Sequence, residues 1–169
     1  MSYPDIRLFD FLPGIVYVRW MNDAEVTRYL ESRFRRFERG DLERFIADAN
    51  GDENTVLFGM FLKRDERHIG NIKLAIEPHH RRAEIGLMIG EADCRGQGLA
   101  SEAIAAVTDY AFRDLRLHKA TAGCYGANIG SVRAFLNAGF APEGRRPSHY
   151  RSDEAWDDLV LLGKINADA

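Results

Sequence analysis

The sequence predicts an α+β fold, a mixed sheet with helices on its faces. Three observations lead there. Residues 55–90 carry three apolar stretches separated by short polar breaks, the pattern of an antiparallel meander. A turn with two glycines, Gly96 and Gly98, then opens a long amphipathic helix pattern. One strand, one helix and two last strands follow it.

A short strand is expected near Ile6 to Phe9, and the rest of the first fifty residues read as helical. Asn22-Asp23 after Trp20-Met21 reads as a helix stop and a new cap, leading a short helix from Ala24 to Leu30. Asp41 is expected to cap a third helix, with Leu42, Phe45, Ile46 and Ala49 at helical spacing. The meander strands are Thr55 to Lys63, His68 to Ile76 and Ala83 to Gly90, with a charged turn at Arg64-Asp65-Glu66-Arg67. The helix from Leu99 to Leu115 should bury Ala100, Ala103, Ile104, Val107, Ala111 and Leu115, and turn Glu102, Asp109, Arg113 and Asp114 to water. Lys119 to Tyr125 is the next strand. A helix from Asn128 to Ala138 stops at Gly139, the usual left-handed residue past a helix end. Strands Phe140 to Tyr150 and Ala155 to Lys164 flank a polar turn at Arg151-Ser152-Asp153.

Residues 1–169 suit one domain with a real core. At 46% hydrophobic and 29% charged, the chain has the composition of an ordinary globular protein, and a net charge of −3 argues against a general nucleic-acid binder. The arginines of Arg33-Phe34-Arg35-Arg36 and of His79-His80-Arg81-Arg82 read first as solvated surface. The two cysteines, Cys94 and Cys124, have no metal-ligand spacing, so no metal is expected and a reducing compartment fits. The start lacks the pattern of a signal peptide, and no apolar run has membrane-spanning length, so a cytoplasmic protein without a membrane partner is expected.

The glycine turn sits between an apolar strand and a helix, where backbone N–H groups and the helix dipole converge on one spot suited to phosphate or pyrophosphate. No GxxxxGK[ST] string exists, which removes a P-loop. A dinucleotide loop belongs after the first strand of an alternating βαβ array, and this turn is mid-chain after a meander. A bare strand-to-helix connection is the plain alternative.

Arg95-Gly96-Gln97-Gly98-Leu99-Ala100 matches Gln/Arg-x-x-Gly-x-Gly/Ala, and Asn128 to Phe140 matches Asn-x-x-Ser-x-x-x-Phe/Leu-x-x-x-Gly-Phe. In this order and spacing, the two motifs resemble the GNAT superfamily of acetyltransferases, in its RimJ/RimL-type branch. Trp20-Met21-Asn22-Asp23 and Glu143-Gly144 are weaker matches. The resemblance implies a mixed, mostly antiparallel sheet of about six to seven strands, splayed between the fourth and fifth. It also implies acetyl-CoA as co-substrate and an amine acceptor. Homodimerisation is common among such relatives.

On that resemblance, Leu87, Met88, Ile89 and Gly90 offer backbone groups to pantetheine, and one of their N–H groups stabilises the oxyanion of the reacting thioester. The amides of Gln97, Gly98, Leu99, Ala100 and Ser101, with Gly96 shaping the turn, hold the pyrophosphate. Arg95 either adds charge there or is solvated. Asn128 is a helix N-cap and a CoA contact. Ser131 is either a surface serine or the donor to the departing thiolate. Phe135 stands where many relatives carry an acidic tyrosine, and Gly123 where some carry a glutamate base. Glu84 is the first choice of base, through water, against the reading of an exposed strand carboxylate; His118 and His149 are alternatives. The expected activity is transfer of acetyl to a primary amine, a protein N-terminus or a small-molecule or amino-sugar amine, by direct attack. The rival is a catalytically weak or inactive CoA-binding domain of the same fold.

Overall fold

The structure is a computed structural model that describes residues 3, 5–11, 14–152 and 155–168. Seven strands form one sheet in the order β1-β2-β3-β4-β5-β7-β6: β1 Ile6–Phe9, β2 Thr55–Leu62, β3 His68–Glu77, β4 Arg82–Ile89, β5 Lys119–Tyr125, β6 Ala141–Ser152 and β7 Ala155–Ile165. Every neighbouring pair is antiparallel except β4 and β5. The expected mixed, mostly antiparallel sheet is therefore present, with the strand boundaries displaced by only a residue or two at most ends.

The strands alternate their side chains between two faces, and each face has its own core. Met60, Ile72, Leu74, Ile85, Ala122 and Leu162 pack under helices α4 (Leu99–Arg113) and α5 (Ile129–Asn137). On the opposite face, Leu57 and Met88 meet Tyr17 and Trp20 of α1 (Ile15–Met21) and Leu42 and Ile46 of α3 (Arg39–Gly51). The short α2 (Ala24–Thr27) connects them.

Several helix expectations need correction. Asp23 caps α2 by accepting from the Glu25 N–H at 2.8 Å, but the helix ends at Thr27 rather than Leu30. Glu38, not Asp41, is the N-cap of α3; Asp41 is its capping-box partner, accepting from the Glu38 N–H at 2.8 Å. Phe45 lies off the buried stripe at 40% exposure. In α4 the buried stripe takes in Leu99 and Thr108, whose hydroxyl donates to the Ile104 carbonyl at 2.6 Å, while Ala100 and Leu115 are only partly buried. Glu102 and Asp109 are not simply solvated: Glu102 accepts from the Asp5 and Ile6 N–H groups at 2.8 and 3.0 Å, and Asp109 from the Tyr3 hydroxyl at 2.6 Å. They tie the N-terminal strand to α4. At the far hairpin, Arg151 and Ser152 remain in β6, paired with Trp156 and Ala155, and Asp153 lies outside the described residues.

Trp20 is 1% exposed and lies flat on Gly90; a Cβ built on Gly90 would stand 2.0 Å from the indole. The indole N–H donates to Glu91 at 2.8 Å. Beside it, His68 stacks on Phe61 with ring centroids 4.7 Å apart and places Nε2 2.9 Å from the Gly70 carbonyl and 3.0 Å from Asn71 Oδ1. Burial holds the His68 pKa below the usual imidazole range.

Gly90→Ala forces that contact apart and is expected to cost roughly 1–3 kcal/mol, measured by denaturant unfolding. Because the folded pKa of His68 is depressed, its neutral form contributes fully above about pH 6.5, and stability falls as pH drops below that value. A pH series of melting temperatures should slope downward below that point in the wild type and flatten there in His68→Phe.

Candidate active site

β4 and β5 pair over three residues only, Arg82–Glu84 with Lys119–Thr121. Beyond them β4 stays bonded to β3 and β5 to β7, so the two halves of the sheet part, as the resemblance implies. Backbone groups alternate in direction along a strand. The Arg81 carbonyl accepts from the His118 N–H and the Ala83 carbonyl from the Thr121 hydroxyl, both on the β5 side. The same phase turns the groups of Ile85, Leu87 and Ile89 toward the gap. Gly90 has the opposite phase, and its N–H donates to the Ile69 carbonyl at 2.8 Å. The four-residue expectation therefore divides: Leu87 and Ile89 present backbone to the cleft, Met88 lines it while packing against the core under α1 and α3, and Gly90 is engaged by β3 and Trp20.

The cleft has a volume of about 710 Å³. One end is the glycine turn. Gly96 and Gly98 hold φ of +74° and +83°, conformations in which a side chain is strained, and Gly98 is the N-cap residue of α4. Arg95, Gly96, Gly98, Leu99, Ala100 and Ser101 all line this end. Gln97 is not in that lining, and its side-chain amide donates to the Asp93 carbonyl. Arg95 stands 3.9 Å from Glu25 at the rim. The approach to the turn is braced from outside, since Arg67 donates to Asp93 at 2.7 and 3.3 Å and to Cys94 Sγ at 3.4 Å.

On the α5 side of the gap, Asn128 is the N-cap, its Oδ1 accepting from the Ser131 N–H at 3.2 Å. Ser131 is half-buried, and its Oγ lies 3.4 Å from Cys124 Sγ on β5. Burial pushes the Cys124 thiol pKa up. Phe135, one turn further, is 1% exposed and belongs to the core.

The opposite wall is built from the other face of β4 and β5. Glu84 is exposed and lines the cleft beside Gly123, whose added Cβ would lie 3.9 Å from Glu84 Oε1. Tyr125 and Tyr150 stack with centroids 3.9 Å apart. Burial, the Glu31 contact and its charge raise the Tyr125 pKa to about 12; the Tyr150 pKa is raised by burial and by the charges of Glu31 and Glu84. The Tyr125 hydroxyl donates to Glu31 at 2.5 Å and accepts from Arg33 at 3.0 Å. Arg33 also donates to the Arg28 and Arg151 carbonyls, so this arginine is a tie between the α2 segment and β6 rather than solvated surface.

Of the alternative bases, His118 sits at the closed end of the β4–β5 pair and His149 is exposed outside the cleft lining. Tyr29, Glu31 and Tyr125 line the cleft and escaped sequence reading, because their role depends on chain segments about a hundred residues apart. Among the described residues, no group of three or more His, Cys, Asp or Glu is placed to hold a metal ion, and no helix is long and apolar enough to cross a membrane.

Residues 9–141 match the family model described as an acetyltransferase (GNAT) domain. Among curated proteins, the probable N-acetyltransferase YjcK of Bacillus subtilis is 36% identical over 113 residues, 66% of this chain and 62% of that protein, so the match spans about three fifths of that relative. A ribosomal-protein-serine acetyltransferase of Escherichia coli is 33% identical over 107 residues, 63% of this chain and 59% of its own. Among solved structures, a spermidine N-acetyltransferase from Vibrio cholerae, in complex with CoA and spermine, has a TM-score of 0.83 at 22% identity, covering 96% of each chain. That likeness concerns the fold.

Asn128→Ala removes the α5 cap and is expected to cost about 1 kcal/mol of stability, with Asn128→Asp costing less; chemical denaturation of the three proteins measures it.

Proposed function

This chain belongs to the acetyltransferase (GNAT) family and is an N-acetyltransferase, and from that premise we propose that residues 1–169 act as one RimJ/RimL-type domain moving acetyl from acetyl-CoA to a primary amine. The observation that carries the reading is the split between β4 and β5, with Glu84 on one face of the sheet and Asn128, Ser131 and the glycine turn on the other.

The residues fit the co-substrate. The left-handed glycines leave room for a pyrophosphate against the first amides of α4, where the helix dipole favours negative charge. Leu87 and Ile89 offer unpaired backbone to pantetheine amides, as a sheet edge does to an added strand. The acceptor enters from the Glu84 face. Its nitrogen attacks the thioester carbonyl, forming the C–N bond, while a β4 backbone N–H holds the oxyanion. Glu84 takes the ammonium proton through water. The C–S bond then breaks, and Ser131 stabilises the departing thiolate by hydrogen bonding. No covalent enzyme intermediate forms.

The acceptor class follows from proton energetics. At pH 7 a lysine amine costs about 4–5 kcal/mol to deprotonate and an α-amine about 1 kcal/mol. An exposed carboxylate suits the cheaper nucleophile, an α-amine or amino-sugar amine. The E. coli relative is named for acetylating a ribosomal-protein serine and the Vibrio cholerae neighbour holds spermine, so both a protein amine and a small-molecule amine stand as proposed acceptors. We place the reaction in the cytoplasm, consistent with two free buried cysteines.

Acetyl-CoA and an amine panel, followed by free-thiol release, test this. Acceptor-stimulated release is expected, with kcat/KM higher for α-amines than for lysine side chains. Ser131→Ala should lower kcat by about tenfold or more with little change in KM for acetyl-CoA. CoA binding without turnover across a broad panel would favour the non-catalytic domain, and a clear lysine preference would exclude the acceptor assignment.

A further inference from the structure

Cys124 is a buried nucleophilic group that the scheme above does not use. It sits on the β5 face that points to α5, 4% exposed, with Sγ 3.4 Å from Ser131 Oγ. By that point β5 has left β4, so the pair stands at the inner wall of the open cleft. The Ser131 backbone is fixed independently by Asn128. What remains free is the rotation of the Ser131 hydroxyl, and Cys124 is the side chain placed to set it.

We propose that Cys124 is a positioning residue for Ser131: its S–H donates to Ser131 Oγ, which leaves the Ser131 O–H to donate into the cleft toward the sulfur of the departing CoA. This rests on the assignment of Ser131 in the proposed function.

The direction of the bond follows from chemistry. A hydroxyl oxygen accepts better than a thiol sulfur, and a protonated thiol has a hydrogen to give. Burial keeps that thiol protonated, which also removes it as a rival nucleophile. A serine that already accepts one hydrogen bond is polarised into a stronger donor. No proton leaves either side chain. The gain is a hydrogen bond made to sulfur as negative charge develops there, so it acts on bond breaking rather than on binding acetyl-CoA.

A double-mutant cycle with Ser131→Ala tests the coupling. Cys124→Ala is expected to lower kcat about five- to tenfold, with KM for acetyl-CoA within about twofold. Cys124→Ser, which restores a donor, should recover most of that loss. In the Ser131→Ala background, Cys124→Ala should cost nothing further. Melting temperatures identify any variant that fails to fold, and the pKa of the bound CoA thiol, followed by ultraviolet absorbance, gives a readout without turnover. That pKa should rise in Cys124→Ala and be insensitive to Cys124 once Ser131 is alanine. A cysteine effect that persists in the Ser131→Ala background, or a Cys124→Ser variant as slow as Cys124→Ala, would overturn the inference while leaving Ser131 in place. A Ser131→Ala variant with wild-type kcat and an unmoved CoA thiol pKa would remove the Ser131 assignment and this inference with it.

Discussion

Everything at the site depends on how briefly β4 and β5 pair. Three residues from each strand form a parallel ladder, and then each strand keeps its antiparallel partner and leaves the other. The sheet is thus two antiparallel halves joined at one end. Where they part, backbone groups of Ile85, Leu87 and Ile89 face the gap, and such groups need partners. The gap also opens a passage between the two faces of the sheet. Glu84 on one face and Ser131 on the other both line that passage. A continuous ladder would satisfy the backbone and close the passage.

The open end is held in shape from outside the cleft. Trp20 lies on Gly90, its indole nitrogen is satisfied by Glu91, and Arg67 reaches from the β2–β3 turn to Asp93 and Cys94. These contacts fix the segment between β4 and the glycine turn without occupying the cleft. The opposite rim is tied by Arg33 and Glu31 meeting at the Tyr125 hydroxyl. The cleft is therefore framed by polar ties at both ends and by apolar cores on both sheet faces, and its interior keeps the unpaired groups.

The local legibility of the chain follows from where each signal originates. The Lys119–Tyr125 strand, the Asp23 cap, the Asn128 cap and the left-handed Gly139 were readable because propensity, capping and φ preference act within a few residues. Asp41 was misplaced by three residues because Glu38 and Asp41 exchange capping bonds, and either reads as a helix start. Glu102 and Asp109 read as water-facing because helical periodicity does not register that β1 crosses that face of α4. Gly90 read as a cofactor contact because the strand's hydrogen-bond phase, set by pairing with β3, is not encoded in its composition.

By itself the sequence determined the α+β class, the order of the elements, the glycine turn at the head of α4 and the Asn128–Ser131 arrangement at the head of α5. Those features are set by interactions among near neighbours. Only the tertiary structure decided which amides of β4 face the gap, that the Gly90 N–H is taken by β3, and that Tyr29, Glu31, Arg33 and Tyr125 frame its far wall. It alone brought Cys124 to Ser131. Each of these depends on strand phase or on contacts between segments far apart in the chain, and packing the sheet against its two cores is what brings those segments together.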